Sequence, residues 1–164
     1  MEESFVREEL ARVRAERAEL SVAEFAHDDA LEVGQAALRM AATADLPVVI
    51  DVRRGDQVVF HASRAGTTEE HDDWVRRKVN TARRHEVPSY EFLLRQRAAG
   101  RAPDWLSPVD YAVAGGAVPV LIGDSVVGTV TVSGIVTSPN GDHDLAMSAL
   151  AVLRRAGDRA EGER

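Results

Sequence analysis

Pro47-Val48-Val49-Ile50-Asp51-Val52-Arg53 is a β-branched run opened by a proline, and Gln57-Val58-Val59-Phe60-His61-Ala62 is a second apolar run close behind it. The first has the composition of a strand that begins at its proline. Only Arg54-Gly55-Asp56, a turn, separates the two, so the second strand returns antiparallel beside the first. A hairpin at this point, where an α/β fold needs a strand-helix-strand crossover, excludes a Rossmann or barrel arrangement.

Upstream of the hairpin, residues 28–43 read as a helix. Asp28 and Asp29 suit its positive N-terminal end, and Ala30, Leu31, Gly34, Ala37, Leu38 and Ala41 share one side, where small residues permit close packing. Residues 4–18 carry a narrow apolar stripe of Phe5, Leu10 and Val13 among Glu and Arg, the pattern of a peripheral or interface helix. Downstream, Gly66-Thr67-Thr68 breaks the pattern, and Thr68 or Thr67 caps a third helix. Glu69, Glu70, Asp72 and Asp73 open that helix, which runs to about His85 and is confined by Pro88.

A shorter helix over Tyr90–Ala99 stops at Gly100, and 101–110 is an ordered loop anchored by Trp105. Two or three strands are expected, around Tyr111–Ala114, Ala117–Ile122 and Val126–Ser133, the last two joined by the turn Gly123-Asp124-Ser125. A final helix begins near Asp142, has Arg154 and Arg155 in its last turn and stops at Gly157; residues 158–164 are read as a frayed tail. The whole is an α+β chain with an antiparallel sheet flanked by helices, in one domain over residues 1–157.

Composition narrows the function. The 164 residues are 45% hydrophobic and 29% charged, which excludes a disordered chain, and the net charge of -7 argues against general binding to nucleic acid. Cysteine is absent, so there is no disulfide, thiolate nucleophile or cysteine-bearing zinc site. The start, Met1-Glu2-Glu3-Ser4-Phe5, is acidic where a secretory signal is basic and then apolar, and no apolar run reaches membrane-span length. A cytoplasmic location is expected, with no nucleic-acid or membrane partner.

Nineteen of the twenty basic residues are arginine; Lys78 is the exception. Between Trp74 and Arg101 the net charge is +6, which leaves -13 for the remainder. Such a strip holds an anionic ligand, meets an acidic patch on another subunit, or is a solvated helix face. At 3.6 residues per turn Trp74, Val75, Val79 and Ala82 share one face, and Lys78 lies within that apolar arc, apart from Arg76, Arg77, Asn80, Arg83 and Arg84. Its stem therefore runs along buried surface. Its ammonium either snorkels to a carboxylate or sits partly desolvated in a pocket or subunit seam.

The five histidines form no HxxxH, HxH or HExxH motif, so no metal site is assigned. His143 stands between Asp142 and Asp144 at a helix start; its plain reading is a surface or capping residue, and so is that of His71. Ser133-Gly134 lacks a nucleophile elbow, and Gly115-Gly116 lacks GK[ST] and serves instead as a tight bend or close backbone approach. No complete catalytic set is readable.

Gly115-Gly116-Ala117-Val118-Pro119-Val120, continued by Val127 to Gly134 and the Asp142-His143-Asp144 helix start, resembles the haem-degrading-domain family that includes GlcG-like proteins and the haem-binding secreted protein. Asp73-Trp74, Arg77-Lys78, Asn80 and Ser89-Tyr90 resemble its uncharacterised intracellular branch most closely. The likeness covers about residues 20–155. It implies a profilin-like α/β/α domain, homo-oligomers with contacts through the N-terminal helix and the sheet edges, and haem binding or degradation. The resulting expectation is a small-molecule-binding protein that takes haem or another anionic ligand near Trp74, Arg77, Lys78, Asn80, Gly116 and His143. The rival is a non-catalytic oligomeric adaptor in which those residues are structural.

Overall fold

The computed structural model describes the backbone of residues 2–162 and the side chains of residues 2–154. Its elements run α1 (Glu3–Ala15), a 3₁₀ turn (Glu16–Leu20), α2 (His27–Thr43), β1 (Val49–Arg54), β2 (Gln57–Ser63), α3 (Glu69–His85), α4 (Ser89–Ala98), β3 (Ala117–Ile122), β4 (Ser125–Ser133) and α5 (Gly141–Gly162). The four strands form one antiparallel sheet in the order β2-β1-β4-β3, so two sequential hairpins meet along β1 and β4. The fold is α+β.

Alternation along the central strands assigns a layer to each face. Ile50, Val52, Val118, Val120, Val130 and Val132 point to one side and pack with Ala30, Val33, Ala37 and Ala41 of α2 and Ala146, Ala149 and Leu150 of α5. On the other face Val49 meets Val75 and Val79 of α3. That second face also buries the polar side chains of Asp51, Thr129, Thr131 and Ser133, beside Ala117 and Pro119. The stripe of α1, read as that of a peripheral or interface helix, buries Leu10 and Val13 against Tyr90, Leu93 and Leu94 of α4, with Val6 as the third buried residue and Phe5 only half-buried.

Three sequence expectations are corrected. No strand forms at Tyr111–Ala114, because the Thr81 hydroxyl accepts the Ala112 N–H at 3.1 Å and donates to its carbonyl at 2.8 Å. A backbone captured by a helix side chain has no groups left for a ladder. The first helix ends at Ala15 and tightens to 3₁₀ geometry, where 4–18 had been expected as one helix. The last helix passes through Gly157 to Gly162, an interior glycine costing about 1 kcal/mol without stopping it; the end of the expected frayed tail, 163–164, lies outside the described residues.

Gly34 brings the α2 backbone tightly against Phe60 of the sheet. A Cβ built there stands 2.2 Å from Cγ of Phe60 on β2. Alanine normally stabilises a helix interior by about 1 kcal/mol over glycine. Gly34→Ala is expected to do the reverse, costing about 1–3 kcal/mol by overpacking, and to cost less in a Phe60→Ala background. Urea denaturation of the four proteins checks this.

Candidate functional site

Lys78 is 3% exposed. Its Nζ donates to Asp142 Oδ2 at 2.8 Å, to Ser133 Oγ at 3.2 Å and to the Val132 carbonyl at 3.2 Å, so three protons meet three acceptors. Asp142 also accepts the N–H groups of Ile135 at 2.8 Å and Gly134 at 3.4 Å. Burial pulls the ammonium below the ordinary lysine range, and the Asp142 carboxylate opposes that pull. Gly116, at φ 132°, lies against the pair: a Cβ there would stand 2.3 Å from the Val132 carbonyl oxygen and 3.0 Å from Lys78 Nζ. The close approach read at Gly115-Gly116 is therefore made to β4 and to this ion pair. Lys78 does not snorkel; its carboxylate partner is inside with it.

Further round α3, polar side chains pin the loop that follows α4. Arg76 donates to the Val109 carbonyl at 2.6 Å and Asn80 to that of Asp110 at 2.8 Å. Between the helix and this loop opens a cleft of about 440 Å³, lined by Trp74 and Arg77 from α3 and by Pro103, Leu106, Tyr111 and Val113 among the loop residues. The Arg77 guanidinium lies 4.0 Å over the Trp74 ring while its Nε donates to Asp73 at 2.8 Å. The hydrogen bond from Arg76, with Arg77 beside it, holds the Asp73 carboxyl below its ordinary range. Arg84, two turns along, lies 4.9 Å from the Tyr111 ring centroid. Trp105, expected to anchor the loop, packs edge-on to Phe92 and His85 and stays 57% exposed.

His143 is fully buried, against the expectation of a surface or capping residue. Its Nε2 meets Glu16 Oε2 at 3.0 Å and its ring packs 5.3 Å from that of Tyr90, while Nδ1 is shut off from solvent without a partner. The same polar network fastens α1: Arg12 binds Glu9, Glu16 and Asp144, and the Tyr90 hydroxyl donates to Glu9 at 3.0 Å. The six candidate residues thus fall in separate places. Trp74 and Arg77 line the cleft, Asn80 holds its loop, Lys78 and Gly116 meet inside at Asp142, and His143 lies under the 3₁₀ turn.

Sequence reasoning passed over one further cluster. Asp51, 1% exposed on β1, accepts Arg53 Nε at 2.7 Å and His61 Nδ1 at 3.0 Å, and His61 Nε2 faces Asp72 of α3 at 3.0 Å. The hairpin register pairs Asp51 with His61, a signal the sequence contained. With a carboxylate facing each ring nitrogen, the cluster ties edge strand β2 to α3.

Comparison with known proteins adds ancestry. The family model described as "Haem degrading protein HbpS-like" matches residues 25–151. A UPF0303 protein of Streptomyces avermitilis is 37% identical over 145 residues, spanning 86% of this chain and 88% of that protein; one from Mesorhizobium japonicum is 32% identical over 149 residues, spanning 88% of each. Among solved structures, Ybr137w superposes with a TM-score of 0.80 at 23% identity over 89% of this chain and 88% of that one. A complex of PduOC with haem gives 0.66 at 22% identity over 79% and 94%.

Two predictions follow from the buried charges. Lys78→Met leaves the Asp142 carboxylate uncompensated and is expected to cost about 3–5 kcal/mol, whereas Lys78→Met/Asp142→Asn loses less than the single variant; denaturant titration measures both. Separately, Glu16 is held below the ordinary carboxylate range chiefly by its bond to His143, and Glu9 chiefly by Arg12. A lowered folded-state value contributes stability above the unfolded one, and that contribution is lost as pH falls through the folded value. The stability deficit of Glu16→Gln is therefore expected to be constant above about pH 5 and to shrink toward pH 3.

Proposed function

The chain belongs to the HbpS-like family of haem-degrading proteins, and we propose that it binds haem, or a similar flat ligand with anionic arms, in the cleft between α3 and the 102–113 loop. The observation that carries this is the stack of Arg77 on Trp74 at the cleft wall, with the Arg77 side chain only 15% exposed. A guanidinium pre-placed on an indole offers a charged fork for a carboxylate beside a flat apolar surface, and a porphyrin presents both propionates and a flat ring.

The lining fits the group. Pro103, Leu106, Pro108 and Val113 cover apolar area, and Tyr111 is the one lining side chain of a kind that ligates haem iron. When bound, haem would supply a redox-active iron; the residues named here bind and orient it. The solved haem complex of PduOC, a protein of the same fold, supports the choice of ligand. In this reading Trp74 and Arg77 contact the ligand, Asn80 holds the loop, and Lys78 and Gly116 fix α3. His143 holds the N-terminal segment.

A second reading, the oligomeric adaptor, is favoured by β2. Among the described residues its outer edge has no partner strand, its seven residues include neither lysine nor proline, and Val58 is 48% exposed. Homo-oligomers built through this edge are compatible with ligand binding at the cleft. A cytoplasmic location is part of the proposal; among the described residues no helix is long and apolar enough to cross a membrane.

Haem titration followed at the Soret band tests the first reading. Saturable binding is expected, weakened about tenfold by Arg77→Ala or Trp74→Ala, with a shifted Soret maximum in Tyr111→Phe and no change in His143→Ala. Absence of saturation, or loss only in His143→Ala, contradicts it. Light scattering of a Val58→Lys variant reads the second: a smaller particle that still binds haem is the expected result.

A further inference from the structure

We propose that a second cleft, bounded by the end of α1, the 3₁₀ turn, the α3–α4 connection and α4, binds a small phosphate-bearing molecule through Arg14, Arg17 and Arg95. It encloses about 420 Å³ and shares no lining residue with the cleft under the 102–113 loop. The proposal is therefore independent of haem.

Three guanidiniums reach this cleft from three different elements. Two of them are set in place from below. The Glu91 side chain is only 4% exposed, and its Oε1 takes Arg95 at 2.5 Å and Arg14 at 3.6 Å. One buried carboxylate oxygen thus holds two cations side by side and leaves most of their donors for another acceptor. Arg17 differs from both. Its one hydrogen bond is to the Glu86 main-chain carbonyl at 3.4 Å, and among the described residues no carboxylate lies within ion-pair distance of it.

The wall of the cleft adds two observations. His85 is stacked on Phe92 at 4.3 Å, and its Nε2 is shut off from solvent without a partner. Burial, with Arg84 and Arg95 nearby, holds this imidazole below the ordinary histidine range, so near neutral pH it offers one N–H donor and one lone pair. Beside it Glu86 ends α3 at φ 54°, a left-handed conformation that glycine adopts without penalty and other residues adopt at about 1–2 kcal/mol.

The chemistry favours phosphate over a lone carboxylate. Converging guanidinium forks from three sides match the several oxygens and double charge of a phosphate monoester, whereas one carboxylate saturates a single fork.

Isothermal calorimetry of the full chain with inorganic pyrophosphate as probe, and citrate as a carboxylate control, tests this. Saturable pyrophosphate binding is expected. It should weaken about tenfold in Arg17→Ala, recover partly in Arg17→Lys, and exceed citrate binding. Arg17 is exposed and lightly bonded, so the variant should melt at the wild-type temperature and titrate haem unchanged. No pyrophosphate binding, equal binding by wild type and Arg17→Ala, or citrate binding at least as tight each overturns the proposal. None of these outcomes bears on the haem cleft.

Discussion

Burying a lysine and an aspartate together costs several kcal/mol per ion before anything is regained. In this protein the return comes through saturation: all three Lys78 protons and both Asp142 oxygens have partners, drawn from β4, from the backbone at Gly134 and Ile135, and from α5. Such a pair tolerates little displacement on either side. It fixes α3 against β4 at the point where α5 begins, and it accounts for glycine at 116, where any side chain would enter the space the pair occupies. The 102–113 loop is hung on α3 by Arg76, Asn80 and Thr81, so the shape of the cleft beside Trp74 and Arg77 depends on where the ion pair sets that helix.

The remaining charge is organised on the same principle. The chain carries -7 overall, yet its arginines are concentrated near α3 and α4. Some are consumed in construction: Arg76 on Asp73 and the loop, Arg12 on three carboxylates around α1. Others line clefts with part of their donor capacity unused, Arg77 in one and Arg17 in the other. The basic strip of this acidic protein is thus in part scaffold. The distinction is how much of each guanidinium is already engaged: Arg77 gives only its Nε to Asp73, and among the described residues Arg17 has no carboxylate within ion-pair distance, whereas Arg76 and Arg12 each serve several acceptors.

What could be read from the sequence was local. The Pro47–Ala62 hairpin, the acidic opening of α3 and the place of Lys78 in an apolar arc all follow from periodicity and turn chemistry over a few residues. What could not be read were partners far along the chain. Asp142 is 64 residues from Lys78, and Glu16, which covers His143, is 127 residues from it; no spacing rule reaches that far. Tyr111-Ala112-Val113-Ala114 has strand composition, but Thr81 takes the backbone bonds a strand would need. The six candidate residues, gathered by the family resemblance, divide in space among a cleft, a buried ion pair and a clasp for α1.

In the proposed reading the ion pair supports the site while the cleft beside α3 receives the ligand. Amide and indole NMR shifts on adding protoporphyrin test it most directly. The largest changes are expected on the Trp74 indole, Arg77, Leu106, Tyr111 and Val113, with Gly116, Gly134 and Asp142 little affected. Changes centred on Gly116, Gly134 and His143, with Trp74 and Tyr111 unmoved, would contradict it.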